Sequence, residues 1–248
     1  MNRARSTVLT VAGTLLLLAA MEGVGRLGVL GESWPPLTQV VAALDDPITR
    51  DLLGRALAAT ATAAGTGFVA GTLIALVVAI VGALLPPLQP GLDRLAAVVH
   101  AVPLIALGPL LITTVGRDGT PAVIAALAAG FAVLVAATSG LGAAGAAHRD
   151  VFRALGSSRR ATLLRLQLPA AVPLLVDGLA LAAPAAVLGA VVGEWFGAPR
   201  GLGVLLVSSM QNFQTDLMWA AALSAAAISL TAYAALAGLR VAAARRFT

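Results

Sequence analysis

The residues able to do chemistry in this 248-residue chain are few, and the missing types exclude as much as the present ones suggest. With no Cys, disulfides, thiolate metal sites and cysteine nucleophiles are ruled out. All 16 basic residues are Arg, so there is no Walker A lysine and no P-loop of the usual kind. Any nucleotide hydrolysis linked to this chain has to come from a partner. The two histidines, His100 and His148, are too few for a histidine-rich metal site, and neither stands near a nucleophile elbow. No grouping of Ser, His and Asp supports catalysis, so the chain is expected to be neither an enzyme nor a metalloprotein.

The densest polar run is DVFRALGSSRRATLLRLQLP, from Asp150 to Pro169. Asp150 is placed to cap a helix through Leu155, Gly156 to end it in the left-handed conformation, and Ser157 or Ser158 to cap a second helix. The spacing predicts a helix, a sharp turn and another helix. Its apolar residues Val151, Phe152, Leu155, Leu163, Leu164, Leu166 and Leu168 are expected to pack on the protein. Arg153, Arg159, Arg160 and Arg165 then face water, lipid head groups or a partner. On charge alone, a basic loop held against anionic lipid accounts for the same residues.

The elements that position this run are set by composition. Hydrophobic residues make up 59% of the chain and charged residues 11%, with a mean hydropathy of +0.96, which excludes an ordinary soluble domain. A β-barrel would alternate apolar and polar residues, and this chain does not. The net charge of +5 is spread between apolar blocks rather than gathered in a patch, so nucleic acid is not an expected partner. At roughly 20 to 25 residues per crossing, the uncharged stretches divide into six spans near 6–31, 56–85, 95–116, 121–141, 170–192 and 217–239. They form a single transmembrane domain over 1–248. Arg3 and Arg5 before an apolar run also suit a cleaved signal peptide, although no Ala-x-Ala site follows.

Arginine in short loops stays on the cytoplasmic side. Placing both termini there gathers Arg3, Arg5, Arg94, Arg149, Arg153, Arg159, Arg160, Arg165, Arg240, Arg245 and Arg246 on that side, eleven of the sixteen. The other side receives Arg50, Arg55, Arg117 and Arg200 with most of the acids. The cytoplasmic stretch 142–168 is long enough to hold helices of its own. The outer stretch 193–216 contains an apolar run at Val204 to Val207, too short to span, which predicts a short surface or re-entrant helix.

Within the spans, Pro103, Pro109 and Pro184 free a backbone carbonyl, which suits a helix lining a cavity and equally a packing kink. Gly65, Gly67 and Gly71 allow close helix approach. Glu22 and Arg26 are spaced to pair on a helix. Glu194 is placed to pair with Arg200 across a glycine-rich turn, either as an outer gate or as an interfacial ion pair worth little. Asp177 is costly at its depth unless paired or wetted; Arg165 is one partner within reach, and snorkelling to the interface is the other outcome. Trp195, Trp219 and Tyr233 suit interface belts.

The Asp150 to Pro169 run resembles the cytoplasmic EAA loop of binding-protein-dependent ABC transporter permeases, E-A-A-x3-G-x9-I-x-L-P. Asp150 stands at the Glu position, Gly156 at the Gly, Leu166 at the Ile, and Leu168 with Pro169 at the closing Leu-Pro. Asp replaces Glu, and Val151 with Phe152 replaces Ala-Ala. In the third span, Pro103, Ala106, Pro109, Leu110 and Gly116 match P-x-x-A-x-x-P-L-x5-G, a pattern seen in permeases related to the nitrate, taurine and aliphatic sulfonate importers. GEWFGAPRGLGVLL, from Gly193, is similar to that branch's acidic residue and glycine turn, whereas NFQTDLMWAA, from Asn212, looks closer to riboflavin or pyrimidine-precursor permeases.

The resemblance implies an all-α type I importer permease in a bacterial cytoplasmic membrane. Its partners would be a second permease copy, two ATP-binding subunits and an external or lipoprotein substrate-binding protein. This chain would bind no cofactor, ATP and Mg being held by the ATPase. The loop from Asp150 through Arg153, Leu155, Ser157, Arg159 and Arg160 would couple to that ATPase. Pro103, Ala106, Pro109, Asp177, Glu194 and Arg200 would line the path or its gate. An ion-coupled secondary transporter is the alternative, and would use Asp177 and His100.

Overall fold

The computed structural model describes the backbone of residues 3–247 and the side chains of residues 8–239, and all regular elements among them are helical. Arg3, Arg5, Arg240, Arg245 and Arg246, used above for orientation, have side chains outside the described residues. Helix α1 (Arg3–Leu27) carries the first expected span and stands clear of the bundle, with none of the Val8–Leu27 segment buried. The expected pair forms, Arg26 Nε donating to Glu22 Oε1 at 2.6 Å. Glu22 also accepts from the backbone and hydroxyl of Thr38, at the start of α2 (Leu37–Ala42). Trp34 Nε1 donates to the Met21 carbonyl.

Helix α3 (Pro47–Leu84) begins nine residues before the expected Ala56, because Asp46 and Pro47 form a strong start signal. The Asp46 carboxylate accepts from the backbone of Ile48 and Thr49 and from the Thr49 hydroxyl. The Thr49 hydroxyl and then these amides hold its carboxyl below the usual carboxylate range. The helix buries a stripe of small residues at three- and four-residue spacing, including Thr60, Ala64, Gly67, Gly71, Ala75 and Ala79.

The third expected span, 95–116, is two pieces. Helix α4 (Gln89–Ala101) stops where Pro103 forces Val102 into extended backbone, ψ 123°. Helix α5 (Leu104–Gly142) then starts, tolerates Pro109, and breaks at Gly116, whose φ of 79° and ψ of 174° only glycine adopts readily. His100 stacks on Phe131 at 3.6 Å between ring centroids. Gly108 lies against Phe196, near where Gly193 meets Pro121. The chain before Gly116 therefore runs back along the chain after it, and the last part of α5 carries the fourth span.

Beyond α5 come α6 (Ala146–Ala154), α7 (Arg159–Thr162), a π turn at Leu163–Gln167, α8 (Leu168–Glu194), the expected short helix α9 (Leu202–Gln211) and α10 (Thr215–Phe247). Among the described residues, five helices are long and apolar enough to cross a membrane: α1, α3, α5, α7–α8 as one segment, and α10.

The bundle centre is alanine-rich: Ala64, Ala75, Ala125, Ala129, Ala182, Ala186 and Ala190 pack with Val133 and Val187. Lipid is as apolar as these side chains, so their contact is held by close van der Waals approach rather than by expulsion of water. Gly71 shows how close that approach is, since a Cβ there would fall on the Ala126 carbonyl oxygen of α5. Gly67 is equally confined, whereas Gly65, expected to pack likewise, faces open space. Gly71→Leu should therefore destabilise the protein by about 3 kcal/mol or more, as overpacking against backbone that cannot yield. Gly65→Leu should be close to neutral. Thermal unfolding in nanodiscs compares the two, and equal midpoints would refute the packing.

Candidate functional sites at the two ends of the bundle

At the Leu168 end of α8 the sequence builds the expected helix, turn and helix. Asp150 does not cap the first of these. Gly145 occupies that position, because α6 starts five residues earlier than expected, at Ala146 and Ala147, and Asp150 lies exposed in mid-helix. It pairs with Arg153 at 3.5 Å, an exposed contact worth little. Gly156 ends the helix at φ 67°, with Ser157 N donating to Phe152 O and Gly156 N to Arg153 O, both at 2.9 Å. These two bonds make a Schellman turn. Ser158 then caps α7, its hydroxyl accepting from Ala161 N.

The apolar residues of this run divide into two sets. Leu163 is buried with Ala79, Leu141 and Ala171, which roots the loop between α3, α5 and α8. Arg159 Nη1 donates to the Leu84 carbonyl at the end of α3, a favourable place for a cation. Phe152, Ser157 and Leu166 are half-buried, and Arg160 and Pro169 exposed. Val151, Leu155 and Leu164, expected to pack inward, are 55%, 77% and 63% exposed. The turn rotates them away from the bundle, so an apolar patch stands among arginines.

The other end of α8 lies about 40 Å away, for 27 helical residues. There Glu194 does not pair with Arg200. It is 2% exposed, accepting from the Thr60 hydroxyl and from Gly203 N, each at 2.7 Å. Thr60 Oγ1 in turn accepts from Leu202 N at 2.9 Å. One carboxylate thus ties α8, α3 and the first turn of α9, where a helix N-terminus favours negative charge. The turn at Gly201 brings these amides onto Glu194 and leaves Arg200 exposed.

Beside this knot is a cavity of about 480 Å³ lined by Arg55, Thr62, Thr66, Asp118, Glu194 and Arg200, among small residues. A second cavity, about 510 Å³ and almost wholly apolar, lies between α3, α4 and α5 and includes Leu95, Val99 and Phe131. Thr66 and Ala122 line both, so a polar mouth adjoins an apolar chamber. Pro103, Ala106 and Pro109 are exposed on or beside α5, and Asp177 is half-buried on α8; none of the four lines either cavity. Sequence reasoning missed Arg55 and Asp118, and above all Thr60, whose type in an apolar helix ordinarily bonds its own turn.

Residues 71–248 match the model of the family described as binding-protein-dependent transport system inner membrane component. The chain is 34% identical over 168 residues to a probable ABC transporter permease protein of Haemophilus influenzae, covering 67% of this chain and 69% of that one. It is 27% identical over 208 residues to a putative aliphatic sulfonates transport permease protein of Bacillus subtilis, covering 83% and 75%. The fold is that of a chain in an inward-facing structure of the MetNI methionine ABC transporter, with a TM-score of 0.68, 17% identity, and coverage of 80% of this chain and 99% of that one. These matches remove the ion-coupled alternative and make the molecule a multi-pass permease subunit of the ABC importer type. The chain belongs to the binding-protein-dependent transport system inner membrane component family.

Proposed function

We propose that two copies of this chain form the path of an ATP-driven importer, with two ATPase subunits on the arginine-rich face and an external binding protein on the other. Both termini then lie in the cytoplasm, and ATP and Mg are held by the ATPase. The observation that carries this reading is the loop 146–169. Its apolar residues Val151, Leu155 and Leu164 face outward for a partner, while Leu163 is rooted among the three central helices. Closure of the ATPase draws the loops together, and the rooted helices move as bodies between inward- and outward-open states.

The solute is small and delivered from outside. The polar mouth, with Arg55 and Arg200 beside Asp118 and Glu194, over an apolar chamber suits a solute with a charged or zwitterionic end and a compact apolar body. A sulfonate such as taurine fits this, and so does a negatively charged vitamin precursor related to riboflavin or a pyrimidine; nitrate, with no apolar body, fits less well.

The test is purification of tagged protein from its native host with its ATPase. Gly156→Val places a β-branched residue at positive φ, a strain of about 1–3 kcal/mol confined to the turn because the space around it is open. Substrate-stimulated ATPase and transport should fall at least about tenfold while the bundle stays folded. Unchanged coupling would count against the loop's role.

A further inference from the structure

Phe213 is the one non-glycine residue with positive φ among the described residues, at 56°. It is also 91% exposed, more than any other large apolar side chain described. It follows α9 in a Schellman turn, with Phe213 N donating to Met210 O and Gln214 N to Ser209 O. That seat normally goes to glycine, because an L side chain is strained there. Phe therefore costs backbone strain and gains no burial, two signs that it is not there for the fold. Its neighbours Gln211, Asn212 and Gln214 are exposed and uncharged.

The position of this ring selects its partner. Helix α9 starts beside Thr60, well inside α3, and runs outward so that Leu205 joins Leu53 and Ala56, nearer the start of α3. The turn at Phe213 is thus at the end opposite the arginine-rich loop. Trp219 donates Nε1 to Ser33 O and meets Trp34 edge-on at 4.5 Å, as an interface belt does. Phe213 precedes Trp219 by six residues, which places it up to about 9 Å farther out than that belt. We propose that Phe213 is an anchor that inserts into an apolar pocket on the external binding protein. An aromatic ring within a polar, uncharged rim is the usual form of an interface hot spot. The proposal rests on the importer reading, and the family is described as binding-protein-dependent.

The test uses the whole complex of permease, ATPase and binding protein in nanodiscs. Phe213→Gly should leave basal ATPase activity and thermal stability intact or improved. The concentration of binding protein that half-stimulates the ATPase should rise roughly tenfold. Phe213→Trp should keep stimulation, and its emission should shift to the blue only when binding protein is added. A superimposable stimulation curve for Phe213→Gly overturns the proposal. So does quenching of the introduced indole by lipids brominated in their acyl chains, which would make the ring a lipid anchor. An ATPase absent even from the unsubstituted complex would strike the importer reading instead.

Discussion

Leu155→Glu should detach the ATPase without unfolding the permease. Leu155 is 77% exposed at the tip of the loop, so the folding cost should stay within about 0.5 kcal/mol, the range of surface changes. The same substitution puts a carboxylate in the patch of exposed apolar residues Val151, Leu155 and Leu164 on an arginine-rich face. If that patch is an interface hot spot, affinity for the ATPase should fall roughly thirtyfold or more. Co-purification and stimulated ATPase activity read the effect. Leu163→Ala is the contrasting case: Leu163 is 4% exposed among α3, α5 and α8, and its truncation should cost about 2–5 kcal/mol of stability. A Leu155→Glu permease that retains its ATPase would mean that the patch faces lipid or water.

Glu194→Ala acts at the opposite end. It leaves the Thr60 hydroxyl and Gly203 N without their acceptor, in a site where Glu194 is 2% exposed. Two charge-assisted bonds at about 1.5–3 kcal/mol each set a loss of about 3 kcal/mol or more. The loss should be local, because α9 is tied to α3 and α8 through this carboxylate while the alanine-rich centre is untouched. Hydrogen exchange at the first amides of α9 should rise at least about tenfold, with α5 and α8 unchanged. Glu194→Gln should be intermediate, because the amide can still accept from Gly203. Unchanged exchange at Gly203 would show that the knot does not hold α9 in place.

What the sequence revealed of these sites followed the range of the interactions involved. Gly156 and Ser158 were legible because turn and cap chemistry is decided within a few residues. Asp150 was misplaced as a cap because any short acid before a helical pattern looks like one; Ala146 and Ala147, good helix formers, moved the start upstream. Glu194 with Arg200 looked like a pair by proximity in sequence, but the partner that matters, Thr60, is 134 residues away. The break at Gly116 was legible, because the charged Arg117 and Asp118 follow it and end the third span there; the separation of α4 from α5 was not, since Pro103 in an apolar stretch looks equally like a kink within one helix. Phe213 carried no signal, since only the backbone angle shows that a glycine seat is filled by an aromatic ring.

The alanine-rich centre also has a mechanical consequence. A Leu or Met contact takes up small displacements by changing rotamer, whereas alanine has no side-chain torsion with which to absorb them. A shift of one of these helices therefore reaches its neighbours with little slack, and α3, α5 and α8 act as a stiff linkage. Compliance is left to the places where the helical ladder is interrupted: Val102 with Pro103, Gly116, and the π turn at Leu163–Gln167. A permease built this way transmits a stroke rather than damping it, and it bends at joints such as these.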